Sequence, residues 1–132
     1  MASAGNEGAR PWQIITAPAD GEDLLAVGGV TSEGVKSNGS SVGPSADGRI
    51  KPDVVALGVS TSTVKSNGNT GFASGTSLAA PLVTSLVAGL WQRYPELTNL
   101  EVMQLVRESA SQASAPDNLL GYGIPNFRAP LT

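Results

Sequence analysis

The chain has 132 residues, a net charge of −3, 40% apolar residues, and neither cysteine nor histidine. This length and composition fit one globular domain, and the acidic balance argues against a nucleic-acid partner. Without cysteine there can be no disulfide or thiolate metal site, and no run of about 18 apolar residues offers a membrane span.

Short apolar runs predict buried strands in the first half of the chain. Residues 24–30 form an apolar run bounded by turn residues, which is typical of a buried strand in a parallel sheet. Residues 31–53 are rich in Ser, Gly, Asn, Pro and Asp, and they predict a long connection of the kind that often carries function. Residues 54–56 then predict a second strand.

A hairpin is predicted next. Residues 66–69 (Ser-Asn-Gly-Asn) have the composition of a hairpin turn, between a strand at 59–64 and another at 70–73.

Two helices are predicted in the second half. The first starts at or just before Ser77 or Leu78, because Pro81 is tolerated in a first helical turn. Its residues are apolar or small nearly all round, so we expect it to be buried. The second spans about residues 99–112, with Asn99 as N-cap. Its apolar stripe consists of Val102, Met103, Leu105, Val106 and Ala110, and residues 121–125 close the chain as a loop or short strand.

The chemistry of the chain centres on residues 75–81 (Gly-Thr-Ser-Leu-Ala-Ala-Pro). A serine at a helix N-terminus is a suitable nucleophile, because free backbone N–H groups and the helix dipole stabilise an oxyanion formed beside it. From position alone, a simple cap of a buried helix is the more common role for Thr76 and Ser77.

Five segments in order extend this motif. Residues 75–81, 3–8 (Ser-Ala-Gly-Asn-Glu-Gly), 25–30, 40–44 and 48–56 resemble segments of the subtilases, the subtilisin-like serine peptidases. The resemblance covers nearly the whole chain. One departure is visible: the family commonly has Ala-Pro-Gly where this chain has Ala-Leu-Gly at 56–58.

The resemblance implies roles for six residues. Ser77 would be the nucleophile, the Asn6 amide and the Ser77 N–H would bind the oxyanion, and Thr76 would support that hole. The wall of the pocket for the substrate side chain before the scissile bond would be formed by Ser3, Ala4 and Gly5.

A general base is missing from this machinery. A serine hydroxyl normally needs an imidazole base, and subtilases place Asp and His before Ser along the chain. We therefore expect the Asp and His segments upstream of residue 1. A Ser–Lys dyad is the formal substitute, with Lys36, Lys51 or Lys65 as base, but nothing in the sequence supports it. The aspartates fall in turns or in segments that the family uses otherwise, namely Asp20, Asp23, Asp47, Asp53 and Asp117.

The resemblance implies an α/β fold, a parallel sheet flanked by helices on both faces, of which residues 1–132 form the C-terminal half as a single partial peptidase domain. The buried helix that starts at Ser77 would cross its middle. Half a sheet leaves an open strand edge and uncovered apolar faces. We therefore expect the isolated chain to form homodimers through that edge, to exchange elements, or to require the missing N-terminal half.

The predicted function is that of a serine endopeptidase acting on polypeptides, with this chain inactive alone. The alternatives are a non-catalytic domain that binds peptides at the open strand edge, and a two-chain enzyme whose second chain supplies Asp and His. No metal or cofactor is predicted within the chain, although calcium is possible for a full-length enzyme. Family resemblance favours a secreted or cell-envelope location.

Overall fold

A three-stranded parallel sheet forms the centre of the fold, in a computed structural model that describes residues 1–128. The strand order is β1-β2-β3, so the predicted parallel α/β arrangement is confirmed. The outer edge of β1 has no strand partner within residues 1–128. The elements in chain order are β1 (Ala2–Ser3), β2 (Ala26–Val30), β3 (Val54–Leu57), β4 (Thr61–Val64), β5 (Thr70–Ala73), α1 (Thr76–Arg93) and α2 (Asn99–Glu108).

Strand prediction succeeded where the apolar run was long enough. All five residues of β2 are buried between two neighbouring strands, as predicted for residues 24–30. β4 and β5 form the predicted antiparallel hairpin. β1 was not predicted, because two residues are too short to carry a periodic signal.

The two faces of the sheet are covered differently. One face packs against α1 and α2 in a single core cluster. It presents Leu25, just before β2, Val27 within β2, and Val54 of the neighbouring β3. On the opposite face, Ala4 and Ala26 pack with residues of the β1–β2 connection. Both helices share one cluster and loop residues cover the other face, so residues 1–128 contribute helices to one face of the sheet.

Helix α1 begins at Thr76, as predicted, but two expectations about it fail. Pro81 lies in the second turn, where it cannot donate to the Ser77 carbonyl. The helix is also buried along one side only: Leu82 is 38% exposed and Leu86 is 48% exposed. A helix that is apolar all round thus keeps one face uncovered in this chain.

Helix α2 is shorter than predicted. Thr98, not Asn99, is the N-cap, and it forms a capping box with Glu101. The helix ends at Glu108 because the amides of Ser111 and Gln112 bind carbonyl groups of the closing segment 121–125.

A buried ionic cluster ties α2 to the sheet. Asp53 accepts hydrogen bonds from Lys51 Nζ at 2.7 Å, Arg107 Nε at 3.0 Å and the Ala26 N–H at 2.8 Å. The side chains of Lys51 and Asp53 are 2% and 5% exposed. This cluster lies at the beginning of β2 and β3, the end of the sheet opposite to Gly58.

Candidate active site

The candidate site lies at the carboxyl ends of the parallel strands, where open α/β sheets usually bind ligands. Asn6 follows β1, and Gly58 follows β3. The Gly58 N–H binds the carbonyl of Val30 at the end of β2, and the Gly58 carbonyl accepts from the Gly75 N–H at 2.8 Å. These bonds hold the N-terminus of α1 against the end of the sheet.

Asn6 caps α1 from a distant part of the chain. The N-cap Gly75, with φ of 143°, has no side chain to satisfy the first helical N–H groups. Instead, Asn6 Oδ1 accepts from both the N–H and the hydroxyl of Thr76, each at 3.0 Å. The Thr76 hydroxyl in turn accepts from the Gly5 N–H at 3.2 Å.

These bonds fix which end of the Asn6 amide is free. The Thr76 N–H can only donate, so the amide atom facing it must be the oxygen. The Asn6 Nδ2 group is consequently left as a hydrogen-bond donor beside the helix N-terminus. A side chain with this orientation can donate to a negative charge that forms near Ser77.

Ser77 is exposed and is the second residue of α1. The N–H groups of a first helical turn have no carbonyl partner within the helix, so the Ser77 N–H is a second available donor. No hydrogen-bond partner of the Ser77 hydroxyl is found within residues 1–128. Ser77 lines a groove of about 610 Å³ between β1 and α1, while Asn6 and Thr76 line a neighbouring cavity of about 250 Å³.

The three predicted pocket-wall residues differ in position. Ser3 lines the groove that contains Ser77. Ala4 is 0% exposed and packs in the second core cluster, so it forms no exposed pocket wall in this structure. Gly5 faces inwards: a Cβ atom there would lie 2.8 Å from the Ser41 hydroxyl oxygen and 3.0 Å from that of Thr16. Ser41 lies in the segment 40–44 that resembles the family, but the resemblance assigned no role to it, and Thr16 lies outside the five segments.

No lysine in the described part of the chain is hydrogen-bonded to Ser77. Lys51 is held in the buried ionic cluster, and Lys65 folds over Gly71 of the hairpin. Lys36 donates to the Ser37 carbonyl at 2.8 Å, and partial burial lowers its pKa. The Ser–Lys dyad is therefore not formed in this structure.

Two further features are absent from residues 1–128. No group of three or more acidic side chains there is arranged to hold a metal ion. Neither α1 nor α2 is both long and apolar enough to cross a bilayer.

The chain belongs to the subtilase family of serine peptidases, whose family model matches residues 1–123. Among individual proteins, it is 33% identical to Subtilisin NAT of Bacillus subtilis subsp. natto, over 97% of this chain and 32% of that protein. It is 31% identical to a subtilisin of Bacillus pumilus, over 97% of this chain and 44% of that protein. The chain thus spans less than half the length of these curated relatives.

Solved protease structures have the same fold. The self-cleaved protease domain of PatA matches 96% of this chain with a TM-score of 0.77 and 28% identity. MycP1, a serine protease of a type VII secretion system, matches 98% with a TM-score of 0.79 and 27% identity. This chain covers 46% and 42% of those two chains.

Proposed function

We propose that this chain carries the nucleophile and the oxyanion-binding groups of a serine endopeptidase. The observation that carries the proposal is that Thr76, the residue before Ser77, donates two hydrogen bonds to Asn6 Oδ1. These bonds leave the Asn6 Nδ2 group available as a donor. Membership of the subtilase family supports the same assignment.

In the proposed reaction, the Ser77 oxygen bonds to the scissile carbonyl carbon while its proton passes to a general base. The carbonyl oxygen becomes an oxyanion that accepts from Asn6 Nδ2 and the Ser77 N–H. The base then gives the proton to the leaving amine as the C–N bond breaks, and water hydrolyses the resulting acyl-enzyme.

The general base must come from polypeptide outside these 132 residues, because the chain contains no histidine. The proposal therefore includes a partner segment that supplies Asp and His, either on the same polypeptide or on a second one. Polypeptide substrates, a secreted or cell-envelope location and any calcium requirement belong to that complete enzyme.

Labelling with a fluorophosphonate probe tests the nucleophile. We expect Ser77 to be modified stoichiometrically when a polypeptide carrying the Asp and His segments of a subtilase is bound. Ser77→Ala should abolish the label, while Ser85→Ala, which removes another exposed serine of α1, should not. The chain alone should react slowly. A triad enzyme that has lost its base accelerates the reaction only about 10³–10⁴-fold over the rate in water.

Two results would count against the proposal. Rapid labelling of Ser77 in the chain alone would mean that no external base is needed. Absence of label in a verified complex would mean that Ser77 is not the nucleophile, and would favour the non-catalytic peptide-binding alternative.

The partner segment would cover the open side of α1. Leu82 and Leu86 are 38% and 48% exposed along this helix, and the outer edge of β1 has no strand partner within residues 1–128. A separate apolar cavity of about 360 Å³, lined by residues such as Leu24, Val87 and Trp91, offers the segment a second apolar contact. Exposed apolar side chains of this kind support an interface with that segment.

Light scattering should accordingly show that the isolated chain forms dimers or larger assemblies with itself. Leu86→Glu should weaken that association, or the binding of the Asp- and His-bearing polypeptide, about tenfold or more. The substitution places a charge where the complex would bury the leucine side chain. Leu119→Glu is the matched control, since Leu119 is 51% exposed in a loop outside this surface. A compact monomer with a cooperative melt, or equal effects of both variants, would contradict this interface.

A further inference from the structure

A buried serine binds the turn that carries Asn6 on both sides of that residue. Ser41 is 0% exposed, and it belongs to the long β2–β3 connection, 35 positions along the chain from Asn6. Its N–H donates to the Gly5 carbonyl at 2.9 Å, and its hydroxyl oxygen accepts from the Glu7 N–H at 3.0 Å. The two residues flanking Asn6 are thus both bound to Ser41.

The side chain and the backbone of Asn6 are therefore fixed from two different directions. Thr76 holds the Asn6 amide oxygen, and Ser41 holds the peptide groups before and after Asn6. A donor aimed at a developing charge is effective when its geometry is set in advance, within about 0.5 Å. Without Ser41, the bonds to Thr76 would leave the Glu7 N–H, in the peptide group after Asn6, without a partner.

The fit between the turn and Ser41 also explains Gly5. The φ of Gly5 is 110°, in the region that favours glycine, and a Cβ atom there would lie 2.8 Å from the Ser41 hydroxyl oxygen. The absence of a side chain at position 5 lets the serine hydroxyl reach the Glu7 N–H.

We propose that Ser41 is a positioning residue, which acts through the backbone of residues 5–7 to aim the Asn6 Nδ2 group at the oxyanion. This inference rests on the proposed function for its catalytic meaning. The clamp itself is a property of this chain and can be measured without any activity.

Amide hydrogen exchange and NMR relaxation on the chain test the clamp directly. We expect Ser41→Ala to raise the exchange rate of the Glu7 amide about tenfold relative to the core amides, and to increase the mobility of the Asn6 side-chain amide. Ser45→Ala is the matched control: Ser45 is 3% exposed and its hydroxyl oxygen accepts from the Arg49 N–H at 2.9 Å, in a different turn. Equal effects of both variants on Asn6, or none from Ser41→Ala, would overturn the proposal.

A measurement on the unsubstituted chain covers the case in which Ser41→Ala does not fold. The Glu7 amide must then exchange much more slowly than the amide of Ser66, an exposed residue of the hairpin turn. Similar exchange rates at these two positions would show that the clamp is not formed, and would overturn the proposal.

A double-substitution cycle in the labelling assay links the clamp to the chemistry. Ser41→Ala should slow labelling of Ser77 about tenfold when Asn6 is present and hardly at all in the Asn6→Ala background. Equal slowing in both backgrounds would mean that Ser41 acts on stability alone. If Ser77 is never labelled, the proposed function fails while the exchange data still decide the clamp.

Discussion

Replacing Asp53 with asparagine should lower the free energy of unfolding by about 3–5 kcal/mol, the usual consequence of removing one partner from a buried ionic pair. Asp53 is the acidic partner of both Lys51 and Arg107. An amide in its place would leave two cations without a counter-charge, one of them on a side chain that is 2% exposed. Urea unfolding at neutral pH measures the change.

Comparison with an exposed pair separates burial from charge. Asp47 binds Arg49 at 2.9 Å, but its side chain is 62% exposed. Hydrogen bonds from Arg49 and Ser45 hold the pKa of Asp47 at about 2, so this carboxylate is charged at neutral pH. Asparagine in its place removes that charge. Asp47→Asn should leave the free energy of unfolding almost unchanged, because exposed ion pairs contribute little.

Lys51→Met extends the comparison. It removes a buried cation but leaves Asp53 bound to Arg107, so we expect a loss between those of the two aspartate variants. If Asp53→Asn proved no more damaging than Asp47→Asn, the cluster would not be what joins α2 to the sheet.

The parts of this fold that the sequence predicted are those encoded locally. The Asn-Gly turn indicated the hairpin, and the Gly-Thr-Ser motif placed the start of α1. Helix α2 begins near the predicted residue, but its N-cap is Thr98 rather than Asn99, and it ends at Glu108 rather than near Gln112. Its start depends on a reciprocal bond between Thr98 and Glu101, and its end depends on contacts with residues 121–125.

The candidate site could be predicted in its chemistry but not in its support. Ser77 and Asn6 lie in motifs that resemble a known family, so their roles could be proposed from residue identity. Ser41 lies in the segment 40–44 that resembles the family, but the resemblance assigned it no role, and residue type alone does not distinguish one serine in a Ser- and Gly-rich connection from a solvated loop residue. Its importance arises from bonds to residues 34 and 36 positions away, which exist only in the folded chain.

Replacing Asn6 should reduce the rate at which the complete enzyme acylates Ser77 by about 10²–10³, a magnitude measured for the oxyanion asparagine of a related subtilisin rather than obtained from this structure. Asn6→Ala, however, removes two functions at once. It deletes the Nδ2 donor, and it also deletes the oxygen that caps α1 through Thr76. Loss of a helix cap alone costs about 0.5–2 kcal/mol of stability.

Asn6→Asp separates these two functions. A carboxylate keeps an oxygen for the N–H and hydroxyl of Thr76, and its negative charge is favourable at a helix N-terminus. It has no N–H to donate, and it would repel an oxyanion. We therefore expect Asn6→Asp to retain the stability that Asn6→Ala loses, while its acylation rate falls at least as far.

Urea unfolding and phosphonate labelling of the same two variants measure both quantities. An aspartate variant that labels at the original rate would show that the oxygen of Asn6 matters and its nitrogen does not, so that Asn6 only caps α1 and the developing charge is bound elsewhere.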